Sequence, residues 1–157
     1  MSLTPRDQLT PDSLSVSEIL CNNYFEIPKN QRDYRWQREN IEKLWSDLIL
    51  TVDNENENTG EKAFGHFLGS VVVIGSKQSL DSNRWQVVDG QQRMTTLTIL
   101  ACCLRPYVEK LETSKTKRLL SNTLYNTILS PEAGEAPRIH LNSERKFFEY
   151  ALIEGEN

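Results

Sequence analysis

The stretch RWQVVDGQQRMTTLTIL, residues 84–100, changes its hydrophobic period halfway along. Residues 84–88 read as a strand. From Gln92 onward, Met94, Leu97, Leu100, Ala101 and Leu104 recur at three and four residues, the spacing of a helix with one apolar face. Between the two lies Asp89-Gly90-Gln91-Gln92-Arg93. A strand that turns directly into a helix presents unbonded N–H groups and the positive end of the helix dipole at the turn. Anions, phosphates above all, bind at such places. Gly90 permits a positive φ or the close approach of a ligand. Arg93 in the first turn opposes the dipole, which a bound anion would relieve. Thr95 and Thr96 add hydroxyls on the next turn. The same residues also fit a plain capped turn, with Asp89 capping, Gly90 turning and Arg93 in a surface ion pair. Spacing alone leaves both readings open.

Upstream, residues 67–74 are apolar and β-branched, the pattern of a buried strand, and residues 75–83 read as the turn that makes a hairpin with 84–88. A second polar cluster, Gln31-Arg32, follows the short strand pattern 24–27 and Pro28. It reads equally as a solvated loop. Ile41, Leu44, Trp45, Leu48 and Val52 form the apolar stripe of an amphipathic helix, with Glu39, Glu42, Lys43 and Asp47 on the other side. Residues 53–62 are wholly polar and read as a loop, mobile over 54–60. Ser15 and Glu18 have capping-box spacing and open a short helix through Leu20. Residues 1–13 form a loose lead-in. Downstream, Pro106 ends or kinks its helix. Further helices are expected over 116–129 and over 143–152, with a short strand at 138–141 between them. The two Arg-bearing clusters each follow a strand, so the expectation is an α+β core over residues 14–112 that brings them to one end of its sheet. Residues 113–157 then form a helical extension that breaks off within a helical pattern, as a piece of something longer would.

The 157 residues suffice for one domain that buries roughly two-thirds of its unfolded surface. With 38% apolar and 25% charged residues, a disordered tail or a fibre is excluded. Eighteen Lys and Arg against 22 Asp and Glu give a net charge of −4, a poor balance for non-specific DNA binding. No run approaches the roughly 18 apolar residues of a membrane helix, and the first ten residues lack the apolar stretch of a signal peptide. Cys102 and Cys103 read as small buried hydrophobes in a reducing compartment, so a soluble cytoplasmic protein is expected. No GxxxxGK[ST], no GxSxG and no zinc spacing occurs. His66 reads as a polar edge residue, and only secondarily as a base. Tyr34 and Trp36 fit stacking on a base or packing beside the following helix.

Taken together, IPKNQRDYRWQRENIEKLWSDL (27–48), HFLGSVVVIG (66–75), WQVVDGQQRMTTLTIL (85–100) and the tail RIHLNSERKFFEYAL (138–152) resemble the N-terminal domain of the GmrSD-type, modification-dependent restriction endonucleases. The matching positions are Ile27, Pro28, Gln31, Arg32, Tyr34, Trp36, Asp47, residues 67–70, residues 89–93 and residues 95–97. Met94 in place of Leu is the one departure in the third segment. The resemblance implies a ParB/sulfiredoxin-like fold, a small mixed β-sheet packed with helices, that binds a nucleoside triphosphate with Mg²⁺. It implies nucleotide binding by Gln31, Arg32, Gly90, Arg93, Thr95 and Thr96. Hydrolysis to diphosphate and phosphate would fall to Asp89, Gln91, Gln92 and Arg93. In that scheme Asp89 holds Mg²⁺ or the attacking water, the glutamines orient water or phosphate oxygens, and Tyr34 and His66 are weaker candidates. It further implies an HNH-type nuclease in cis or trans, modified foreign DNA as the target, phage defence in a bacterium or archaeon, and a homo-oligomer as one option. This chain, whose histidines are His66 and His140, would be the sensing and NTP-hydrolysing half. A non-catalytic nucleotide- or DNA-sensing module and an interaction scaffold are the competing readings.

Overall fold

The computed structural model describes residues 11–28, 31–57, 65–75, 84–130 and 136–141. The chain begins with helix α1 (Val16–Asn22), strand β1 (Tyr24–Ile27) and helix α2 (Arg38–Glu57), followed by strands β2 (Val72–Ile74) and β3 (Arg84–Asp89). Helices α3 (Gln91–Glu109) and α4 (Lys115–Ile128) come next, then the short strands β4 (Leu129–Ser130), β5 (Ala136–Pro137) and β6 (Ile139–Leu141). The capping box forms as its spacing predicts. Ser15 Oγ accepts from the Glu18 amide at 3.2 Å, and the Glu18 carboxylate accepts from the Ser15 amide at 2.7 Å. Ser15 Oγ also donates to the Glu18 carboxylate at 2.6 Å, and that bond, with the one from the Ser15 amide, holds the Glu18 carboxyl below the usual range.

Four strands make one mixed sheet in the order β2-β3-β1-β6. β1 runs parallel to both β3 and β6, and β2 pairs antiparallel with β3 through an irregularity between Val72 and Val73. Phe25 and Ile27 of β1 are buried while Glu26 between them is exposed, the period of two that a half-buried strand requires. Helix α3 lies on α4, and α4 on α1. The core they close contains Leu20, Phe25, Ile27, Val87, Met94, Ile128 and Ile139. This is the small mixed-sheet α+β architecture expected from the sequence.

Four local expectations change. The strand read over 67–74 shrinks to Val72–Ile74, and Phe67 stands 82% exposed. Gly69 adopts φ +97°, which an L-residue in a strand does not, so regular pairing cannot start before it. Helix α2 runs on to Glu57 through part of the polar segment read as a loop, since adding a residue to an existing helix costs far less than starting one. Its apolar stripe is only half used: Leu44, Asp47 and Leu48 are half-buried, while Ile41, Trp45 and Val52 are each at least 43% exposed. Pro106 does not end α3, which continues to Glu109. The amide missing at Pro106 falls in the last turn, where it removes a single bond. Cys103 is exposed, whereas burial pushes the Cys102 thiol up to about 11. The expected loop at 58–62, most of the hairpin turn and the last helix over 143–152 lie outside the described residues.

Candidate functional site

Because β1 and β3 are parallel, their carboxyl ends lie side by side, and the chain leaves each at the same edge of the sheet. That places Gln31 and Arg32 beside residues 89–93. A cleft of about 160 Å³ opens there, lined by Gln31, Arg32, Trp36, Val88 and residues 89–93. Asp89 is the last residue of β3 and does not cap the helix. Gly90 is the N-cap, at φ +95° with no side-chain hydrogen bond, and no acidic residue stands in the first turn of α3. The amides that open α3 therefore end in the cleft without the carboxylate or hydroxyl that usually satisfies them.

Three side-chain amides tie the segment after β1 to this turn. Gln31 Nε2 donates to the Val88 carbonyl at 3.1 Å, and Gln91 Nε2 to the Arg32 carbonyl at 3.0 Å. Gln92, buried, is used at both ends. Its Oε1 accepts from the Arg35 and Trp36 amides at 2.6 and 3.2 Å, and its Nε2 donates to the Asp33 carbonyl at 3.2 Å. Thr96 Oγ1 donates to the Gln92 carbonyl at 2.8 Å. Its only hydrogen is thereby committed, so the 2.8 Å contact with Tyr34 is one in which the phenol donates.

The two arginines differ. The Arg32 guanidinium is exposed and makes no hydrogen bond or ion pair among the described residues. Arg93 is 27% exposed, donates from Nη1 to the Leu68 carbonyl at 3.3 Å, and brings Nη2 to 3.6 Å from Asp89 Oδ2. It lies across Gly69, where any Cβ would collide with Nη1. Gly69 and the Leu68 carbonyl thus belong to the site, although the sequence reading gives them only as matching positions of the resemblance and assigns them no role. A glycine interrupting a β-branched run was the available signal.

Thr95 and Thr96 do not line the cleft. They are 2% and 6% exposed, and Thr95 Oγ1 has no hydrogen-bond partner among the described residues. Thr95→Val, which replaces that hydroxyl by a methyl of similar size, is expected to raise stability by about 1 kcal/mol. That is about 2–4 °C in Tm for a chain of this size. A melt that falls instead would mean the hydroxyl has found a partner. His66 sits apart from the cleft lining, with Nε2 3.9 Å from Asp47 Oδ2 on α2.

No group of three or more His, Cys, Asp or Glu among the described residues could cage a metal ion. Asp89, with its side chain 65% exposed at the cleft and Oδ2 3.6 Å from Arg93 Nη2, supplies a single carboxylate. That donor set suits Mg²⁺ only in its usual mode, one or two carboxylates together with phosphate oxygens of a ligand.

The class so defined is a small mixed-sheet α+β domain whose Arg- and Gln-lined cleft opens where two parallel strands end. The model of the family described as the GmrSD restriction endonuclease, N-terminal domain, matches residues 16–157, and the chain belongs to that family. A search of curated proteins finds no match. Membership gives the chain a role in restriction, as the N-terminal domain of a DNA-acting family. No helix among the described residues is long and apolar enough to cross a membrane.

Proposed function

We propose that this domain binds the phosphate tail of a nucleoside triphosphate in the cleft and hydrolyses it, as the regulatory half of a modification-dependent restriction system. The observation that carries the reading is the conjunction in one cleft of a helix N-terminus without a side-chain cap and of Arg32, whose guanidinium has no partner among the described residues. A cleft of about 160 Å³ is smaller than the roughly 300–1,000 Å³ that encloses a whole drug-sized ligand. It suits the charged end of a nucleotide, with the nucleoside outside it and Trp36 at the margin to stack.

In this reading Arg32 and the α3 amides hold phosphate oxygens, Arg93 adds the second guanidinium, and Asp89 with Gln91 orients water. Mg²⁺, when bound, would be held by Asp89 together with the nucleotide and would neutralise phosphate charge. Hydrolysis by such a set is positioning and charge stabilisation, with no protein nucleophile required. DNA cutting belongs to an HNH-type nuclease in cis or in a partner chain, and modified DNA reaches the system through that assembly. The purified chain incubated with Mg²⁺ and each of ATP, GTP, CTP and UTP tests this. Phosphate release supports it. Calorimetric binding without release leaves a non-catalytic sensor, and neither leaves a scaffold.

A further inference from the structure

We propose that Gln92 is a positioning residue for the cleft and acts through Arg32, without itself touching the ligand. This rests on the nucleotide reading and extends it to the device that sets affinity. The Gln92 amide has its oxygen shared by two backbone N–H groups and its nitrogen given to a backbone carbonyl, all on residues 33–36. At 9% exposure little of it reaches the cleft it borders: the oxygen is committed to two amides, and one of the two Nε2 hydrogens is given to Asp33. The orientation of the amide follows from its partners, since only the oxygen can accept from Arg35 and Trp36.

What the amide holds is informative. Residues 31–37, which lead into α2, lie in no strand and no helix. Among the described residues their tertiary attachments are Gln31 to Val88, Gln91 to the Arg32 carbonyl, the three Gln92 bonds and Tyr34 to Thr96. Four of those six bonds, the three of Gln92 and that of Tyr34, fall at residues 33–36, just after Arg32. Nothing among the described residues holds the guanidinium itself, so the place of Arg32 in the cleft lining is inherited from the backbone that Gln92 pins. Released, a long flexible side chain on a loose loop must be ordered anew when ligand binds, and that ordering is charged against affinity. Two of the three bonds reach Arg35 and Trp36, just ahead of α2, so the clamp also ties the approach to that helix to the cleft.

A double-mutant cycle reads this directly. Gln92→Met keeps the side-chain length and removes all three bonds. Against MgATP and the other three Mg-nucleotides by calorimetry, Arg32→Ala and Gln92→Met are each expected to weaken binding by about tenfold or more. The double variant should bind within about threefold of Arg32→Ala alone, since a clamp has nothing left to position. Amide hydrogen exchange at Arg35 and Trp36 should speed up in nucleotide-free Gln92→Met. Tyr34→Phe, which removes only the Thr96 contact, should show a smaller loss that likewise vanishes in the Arg32→Ala background. Losses that multiply in the double variant, or exchange at Arg35 and Trp36 that stays slow, overturn the proposal. A parent chain that binds none of the four nucleotides removes the nucleotide reading itself, a different result from binding with a multiplicative cycle.

Discussion

Gly90→Ala is expected to lower stability by about 3 kcal/mol, a drop in Tm of roughly 6–12 °C for a chain of this length. Two costs add. Gly90 sits at φ +95°, where a Cβ is strained by roughly 1–2 kcal/mol. The new Cβ would also stand 2.9 Å from Val71 Cγ2 and 3.1 Å from Val71 Cα. The Cγ2 can rotate away but the Cα cannot, because Val71 leads directly into β2 on the β3 edge, so the overpacking term of roughly 1–3 kcal/mol is not escaped by a rotamer change. Gly69→Ala provides the contrast. Its φ is just as positive, but its Cβ meets the far end of the Arg93 side chain, which can swing aside. It should cost mainly the backbone strain and dislodge Arg93 from the Leu68 carbonyl. Equal melts for Gly90→Ala and the parent would show that the turn does not hold the positive φ.

Arg32→Ala should weaken nucleotide binding roughly ten- to hundredfold, the equivalent of about 1.5–3 kcal/mol for hydrogen bonds to a charged group, and leave the melt unchanged. The guanidinium is exposed and has no partner among the described residues, so removing it costs the fold nothing. Arg93→Ala should lose both. It surrenders a phosphate ligand and also the bond to the Leu68 carbonyl and the Asp89 contact, worth about 1 kcal/mol together at a side chain 27% exposed. Its sequence position against the helix dipole suggests that stability would barely move or would rise. The two partners reverse that expectation. Lysine at either position should rescue only part of the binding, because it keeps the charge and loses the planar fork. Unchanged affinity in Arg32→Ala would show that this guanidinium, without a partner among the described residues, holds no phosphate, and the phosphate role would fall. Melting curves and titrations of the same four samples separate the two arginines.

Much of the local structure was legible because it depends on neighbours in the chain. The capping box of Ser15 and Glu18 is a contact over three residues, and spacing alone specifies it. The switch from strand to helix at residues 89–91 is a change of hydrophobic period, and Gly90 at the N-cap with positive φ follows from the one residue type that tolerates it. The pairing of the Gln31-Arg32 and Asp-Gly-Gln-Gln-Arg clusters was expected from each following a strand, but that observation is insufficient. Only the parallel alignment of β1 and β3 puts both carboxyl ends at one edge, and pairing direction depends on contacts some 60 residues apart.

The division of labour within the site was likewise decided in three dimensions. By composition the two arginines are equivalent and so are the two glutamines. Arg93 is tied to the Leu68 carbonyl because the chain brings Leu68 and Gly69 against it, and the missing side chain of Gly69 makes room for the guanidinium. The Arg32 guanidinium is left without a partner among the described residues, and Gln92 is buried against residues 33–36 while Gln91 is only half-buried. The apolar stripe of α2 shows the same limit from the other side. Its period fixes that Ile41, Trp45 and Val52 share a face, yet that face stays largely exposed while Leu44 and Leu48 turn inward. Periodicity is a property of one helix and determines which residues stand together. Which of them are buried, paired or left free is set by what the rest of the chain brings against them, and local sequence carries no record of that.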